Sequence, residues 1–291
     1  MELSEVIRQI DAVSISPDAT ITQLKREEDD SLYQVWRIDT VNHKYILKQA
    51  KENEVLIYQS LLAPLQEGVP ALYQVIPVDD EAYLLMEYIE GENLCKCNRE
   101  KLIFALDALI SLQKETWEES ACDSAADNAL QRRQKRGKYL HDPLLEKAYC
   151  NFLEAYQAVP RALCHEDLLP FNVIASDRKA VLIDWEVAGI LPYPTAFARL
   201  IAHTEEDVNA LFFMTIADKN FAIDYYYDHL LKDKGISYVQ WQNTLELFLF
   251  YEYCEWIYVG NKFNATDGEY YKKYLPIAQK QARKLLSKDH I

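Results

Sequence analysis

Leu163–Gly189 reads LCHEDLLPFNVIASDRKAVLIDWEVAG, and this stretch decides the fold. Two short apolar runs, Val173–Ala175 and Ala180–Ile183, flank the polar tetrapeptide Ser176-Asp177-Arg178-Lys179. Strand-sized runs around such a turn predict a hairpin. The segment DLLPFN just before it places Asp167 and Asn172 on one connecting loop, and Asp184 falls at the end of the hairpin's second strand. An amide oxygen and a carboxylate are thereby brought together at neighbouring strand ends. Hard oxygen ligands of this kind, completed by substrate phosphates, are how proteins hold magnesium. Asp167, five residues before the Asn, is placed to accept a hydroxyl proton.

Toward the N-terminus the pattern is mostly strand. Tyr33–Ile38 and Lys44–Gln49 flank the polar turn Asp39–His43 and read as a hairpin. Glu52–Leu62 carries Val55, Leu56, Tyr58 and Leu62 at helical spacing, with Pro64 just beyond. Val69–Pro77 and Ala82–Ile89 read as two further strands. After Gly91 the character changes. Asn98–Trp117 is an amphipathic helix with Leu102, Ala105, Leu109 and Leu112 on one stripe, and Leu144–Val159 is another that ends at Pro160. Glu118–Asn128 reads as a loop, and the run Gln131–Lys138, with five Lys/Arg in eight residues, as a solvated face. From Glu205 onward the whole chain reads as helix. The expectation is an α+β fold of two lobes. Residues 1–90 form a small β-rich nucleotide-binding lobe with one helix. Residues 91–291 form a larger helical lobe with an embedded hairpin. A cleft between two such lobes suits a ligand.

Composition narrows the class. The chain has 291 residues, 49% of them hydrophobic and 26% charged, which is ordinary for a globular protein and against disorder. No run of 18 apolar residues is present, so no helix is expected to span a membrane. MELSEVIRQIDAV has neither the basic start nor the apolar run of a signal peptide, and the six cysteines form no C-x-x-C pair. A reducing cytoplasm is the expected compartment. The formal net charge of −15 repels nucleic acid and anionic membranes and attracts a cationic small molecule.

With these residues in place, H-x-D-x-x-x-x-N followed by a short hairpin and I-D-W-E resembles the aminoglycoside phosphotransferase and choline kinase family, small-molecule kinases with a protein-kinase-like fold. The resemblance covers most of the first 190 residues. Asn172 and Asp184 are twelve residues apart, Trp-Glu replaces Phe-Gly, and no A-P-E follows. That leaves no room for a phosphorylatable activation segment and favours a small acceptor. The resemblance implies ATP (or GTP) and Mg2+ as cofactors, with Asp167 as catalytic base and Asn172 and Asp184 as metal ligands. Lys48 in YILKQA matches the lysine on the α- and β-phosphates. Glu54 matches the helix acid that pairs with it, with Glu52 as the fallback. Met86, Glu87 (through C=O) and Ile89 (through N–H) match the adenine hinge. His165 is read as structural, bonding the backbone near Asp184.

Three departures stand out. The phosphate-covering loop, Glu28-Asp29-Asp30-Ser31-Leu32-Tyr33, has no glycine, although Ser31 sits where the family often has a phosphate-contacting Ser. Glu166 replaces the Gly of the common H-G-D. In LPYPTAFAR, Leu191–Arg199, Ala196 and Phe197 stand where the family often has another acid. The glycine-free loop is the support for an alternative from another class, an inactive nucleotide-binding module.

Acceptor expectations come from the last third. His203–Tyr271 holds twelve Asp/Glu against four Lys/Arg, and nine tyrosines. Glu252, Glu255 and Trp256 lie at i, i+3 and i+4, on one helical face. Carboxylates beside an aromatic face suit an ammonium group. With Glu186 as a further candidate, they predict a cationic acceptor. An aminoglycoside-like molecule is the first reading and a choline- or ethanolamine-type amine the alternative.

Overall fold

In a computed structural model the described residues are 3–25, 31–65, 67–78, 81–118 and 124–288. Glu28, Asp29 and Asp30 of the expected phosphate loop lie outside them, whereas Ser31 directly precedes the strand Leu32–Asp39.

Five antiparallel strands form the N-terminal sheet, in the order β1-β2-β3-β5-β4. They are β1 (Thr20–Lys25), β2 (Leu32–Asp39), β3 (Lys44–Ala50), β4 (Leu72–Val78) and β5 (Glu81–Glu87). Alternation along the central strands gives each face its own core. Tyr83 and Leu85 of β5 join Trp36, Ile38 and Leu47 in one cluster, which Val6 of the short helix α1 (Leu3–Arg8) covers. Leu84 and Met86 point the other way, into the large cluster shared with the helical lobe. The sequence pattern offers no expectation for α1 and β1: six residues each are too few to show a period. The helix α2 (Glu52–Ile57) continues as a π-helical turn over Tyr58–Leu62, so the expected helix is present with its last turn widened.

The crossover to the helical lobe runs close against the hairpin. A Cβ on Gly91 would sit 2.5 Å from the carbonyl oxygen of Ala175, so only glycine fits. Beyond it, β6 (Glu92–Asn93) pairs with β8 (Val173–Ala175), which pairs with β9 (Ala180–Leu182). The helices are α3 (Arg99–Glu115), α4 (Ser124–Gly137), α5 (Pro143–Ala158), α6 (Pro194–Ala202), α7 (Ile216–Tyr226), α8 (Tyr238–Lys262) and α9 (Glu269–Lys288). Asn98 caps α3, Asp142 caps α5 with Pro143 in its first turn, and a capping box on Ser237 starts α8.

Two expectations are corrected, and one further element appears. The loop expected over Glu118–Asn128 gives way at Ser124 to α4, which extends the basic run backwards as helix. The segment after Glu205 is not helical throughout. Phe213 bridges both Lys96 and Glu205, and helix resumes only at α7. A further antiparallel pair, β7 (Arg161–His165) with β10 (Ala188–Pro192), frames the hairpin. Its strands carry no alternation to read, because every residue of β7 is buried.

Candidate active site

The loop between β7 and β8 is pinned at both ends. His165 pairs with Ala188, and the Glu166 N–H donates to Val187 O over 2.9 Å, so the chain leaves and re-enters the site at one point. A 3-10 turn over Pro170–Asn172 then delivers Asn172 to the start of β8. The Ile183 N–H donates to Asn172 O, extending the β8–β9 ladder by one step and placing Asp184 beside the Asn. Asn172 Nδ2 donates to the Asp167 carbonyl over 2.8 Å. That bond assigns the nitrogen side of the amide and leaves Oδ1 as the oxygen that faces away from the Asp167 carbonyl.

Asp184 adopts φ 65°, a left-handed conformation that short acidic side chains tolerate better than most. The bend directs its carboxylate to Lys48, whose Nζ lies 2.5 Å from Asp184 Oδ1 and 2.6 Å from Glu54 Oε1. Lys48 is thus brought to Glu54, the expected partner, rather than to the fallback Glu52, and also to Asp184, a pairing the sequence did not suggest. Burial opposes a charge on Lys48, but Asp184 and Glu54 outweigh it and raise its pKa. Glu54 is only 2% exposed. Burial holds its carboxyl above the usual range, Lys48 offsets part of this, and Asp184 and Glu186 add repulsion. Glu186 is exposed, and its carbonyl accepts from Asn53 Nδ2 over 3.0 Å.

His165 is buried. Its Nε2 lies 2.8 Å from Ile183 O, and its Nδ1 accepts from the Asp167 N–H over 3.2 Å. A carbonyl accepts only from N–H, so this is the neutral ring. Burial lowers its pKa accordingly, and the residue orients the backbone. At the hinge, Met86 is buried at the end of β5, and the Glu87 N–H donates to Ala71 O over 2.9 Å. Ile89 follows β5 in irregular backbone. A cavity of about 830 Å³ is lined by Tyr58, Leu72, Glu87, Phe104 and Lys179 among others, and by none of Lys48, Asp167, Asn172 or Asp184.

The basic run is only in part the expected solvated face: Arg132, Lys135 and Lys138 are exposed, whereas Arg133 is buried and Arg136 half-buried. Arg132 and Arg133 of α4 bind Glu166 at 2.6 and 2.8 Å, and Arg133 is buried between the rings of Tyr156 and Tyr251. Despite burial, the two arginines hold the Glu166 carboxyl below its usual range. The departure from H-G-D is therefore compensated within the chain. The partners stand 33 residues apart, a distance at which no local pattern links them.

The face of α8 expected to meet an acceptor turns inward. Glu252 is 4% exposed by side chain and accepts from Arg199 Nη1 over 3.0 Å. Glu255 is bonded to Arg136, yet burial still raises its pKa. Trp256 stacks on Tyr270 with ring centres 4.2 Å apart. Glu255 Oε1 and Trp256 Nε1 are nevertheless buried without a hydrogen-bond partner among the described residues. Arg199, which no motif in the sequence marks out, also donates to Asp167 Oδ1 from Nη2 (2.6 Å) and Nε (3.1 Å).

A family model described as the phosphotransferase enzyme family matches residues 23–225, more than half of the chain. The chain belongs to the phosphotransferase enzyme family. It is a phosphotransferase acting on small molecules, with the protein-kinase-like fold. No curated protein matches it significantly. Among solved structures, an aminoglycoside-3'-phosphotransferase of type VIII is 18% identical, with TM-score 0.54 over 84% of this chain and 98% of that one. A choline kinase from Cryptosporidium parvum Iowa II is 12% identical, with TM-score 0.60 over 93% and 91%. A thermostable mutant of an aminoglycoside phosphotransferase, in complex with ADP and hygromycin B, is 12% identical, with TM-score 0.54 over 92% and 93%. Likenesses this distant speak for the shared fold, with TM-scores alike for both acceptor types.

Proposed function

We propose that this phosphotransferase moves the γ-phosphate of ATP (or GTP) to a hydroxyl of a small-molecule acceptor. Residues 1–90 hold the nucleotide, and residues 91–291 hold the acceptor. The observation that carries the reading is the junction of Lys48, Glu54 and Asp184, contributed by a strand, a helix and a loop 136 residues away from the lysine. In this reading Lys48 neutralises the α- and β-phosphates while Glu54 keeps it in place. Glu87 C=O and Ile89 N–H meet the adenine edge beside Met86, and Ser31 lies against the phosphates. Asn172 Oδ1 and the Asp184 carboxylate fit magnesium, because both are hard oxygens at neighbouring strand ends. When bound, the ion offsets charge on the phosphate oxygens. Asp167 orients the acceptor hydroxyl in line and takes its proton.

The acceptor we propose is a cationic hydroxylated molecule of aminoglycoside or choline type. The formal charge of −15 favours its approach. Glu255 and Trp256 pack against Arg136 and Tyr270, so the case for a cation rests on the overall charge rather than on these two side chains. Glu252 has its counter-charge already and serves inside the fold. The test is magnesium-dependent ATP turnover against a panel of aminoglycosides, choline, ethanolamine and neutral sugars. Asp167→Ala is expected to lower turnover by about two to four orders of magnitude. A variant that keeps more than about a tenth of the wild-type rate would refute the assignment, and sole activity on neutral sugars would refute the cationic acceptor.

A further inference from the structure

We infer that Arg199 is a positioning residue for Asp167 and that Glu252 anchors it from behind. The inference rests on the function proposed above and adds to it a residue that acts on the reacting hydroxyl only through Asp167.

Arg199 lies in α6, which packs against β7 on one side and α8 on the other. Two of its N–H groups converge on one oxygen, Asp167 Oδ1. Oδ2 makes no hydrogen bond among the described residues, and the Asp167 side chain is 38% exposed. The carboxylate is therefore fixed by one oxygen and open by the other, which is what a group that must orient a hydroxyl requires. The guanidinium is in turn fixed from behind. Nη1 donates to Glu252 Oε2, His203 Nε2 lies 3.2 Å from Nη1, and His203 Nδ1 lies 2.8 Å from the Tyr274 hydroxyl. A rigid planar fork transmits that anchoring to Asp167 in a way a flexible ammonium does not.

The charge balance separates this role from simple core neutralisation. Arg199 stands between the two carboxylates. Arg199, together with His203 at 3.5 Å from Glu252 Oε2, holds the Glu252 pKa down against the effect of burial, so Glu252 is fully accompanied inside the fold while Asp167 is the more exposed of the two acids. Phosphoryl transfer depends mostly on positioning and electrostatics rather than on covalent work by the protein. A fixed carboxylate direction is thus worth more than a freely rotating one. Glu252 belongs to this relay, which explains its burial on a face expected to meet the acceptor.

The test uses water as the acceptor, following magnesium-dependent ATP hydrolysis by the full chain. Arg199→Met is expected to lower kcat by about 10- to 100-fold with KM for ATP within about twofold, and Arg199→Lys to restore part of the loss. In an Asp167→Asn background Arg199→Met should change kcat by less than about twofold, because a residue acting through another adds nothing once that one is gone. If Arg199→Met does not fold, Arg199→Met/Glu252→Gln removes the stranded buried charge and must show the same kcat loss. Losses that multiply in the Asp167→Asn background, or a KM that rises with the fall in kcat, overturn the inference. Wild-type protein that neither binds nor hydrolyses Mg–ATP in calorimetry and turnover overturns the proposed function together with it. Wild-type turnover with unaffected Arg199 variants overturns the inference alone.

Discussion

Lys48→Met tests the junction most directly, because its cost can be worked from burial. Lys48 is 16% exposed by side chain and Glu54 is 2% exposed, so the substitution leaves a carboxylate in the core without its cation. An ionised Glu54 stranded in this way costs about 3–5 kcal/mol. The alternative is to bind a proton, which at pH 7 costs about 1.4 kcal/mol for each unit above a normal glutamate value, or about 3.5 kcal/mol. The two routes are similar at pH 7, so the expected loss is about 3 kcal/mol. At pH 5 protonation wins and the loss falls to about 1 kcal/mol. The sign follows from linkage. The variant raises the folded pKa of Glu54, so its folded state binds more protons, and stability is lost as pH rises above the unfolded value. Urea denaturation of wild type, Lys48→Met and Lys48→Met/Glu54→Gln at pH 5 and 8 measures this. The double variant should recover most of the loss, because the neutral amide needs no cation. A single variant within about 0.5 kcal/mol of wild type at pH 8, or a double variant no more stable than the single, would refute the reasoning.

Asp184→Asn keeps shape and removes charge, so it is expected to abolish the magnesium dependence of ATP binding in calorimetry; an unchanged dependence would count against the site. Arg133→Met leaves Glu166 with Arg132 alone and removes the cation between Tyr156 and Tyr251, at an expected cost of about 3 kcal/mol in denaturant titration. Adding Glu166→Gly should restore part of that stability, and a further loss would show that Glu166 does not depend on the arginine. Lys219, whose Nζ donates to Thr204 O, has its pKa pushed down by burial to about 8. Raising the pH from 7 to 9.5 strips its proton from the folded but not the unfolded chain, so wild type gains stability relative to Lys219→Met. Parallel pH profiles for the two proteins would exclude a shifted lysine.

The local part of this site was legible in the residues. Asp167, Asn172 and Asp184 sit at loop and strand ends whose geometry follows from turn chemistry and short apolar runs, and the hairpin is observed as read. Lys48 and Glu54, six residues apart, join because a strand turns directly into a helix. The frame around them was not legible. The β7–β10 pair is buried on every residue of β7, so it shows no alternation, and a basic run looks the same whether it faces water or a buried acid.

The two lobes were legible in the residues because strand and helix periods and turn residues act over a few positions, while the candidate groups Lys48, Glu54, Asp167, Asn172 and Asp184 were marked out by the resemblance to small-molecule kinases. Only the tertiary structure decided which acids are free to meet a ligand. Arg199 reaches Asp167 across 32 residues and Glu252 across 53, and Arg136 reaches Glu255 across 119. A carboxylate's role depends on whether a cation accompanies it into the core. Opposite charges attract through space without any sequence period, so that pairing is settled only when the helices pack.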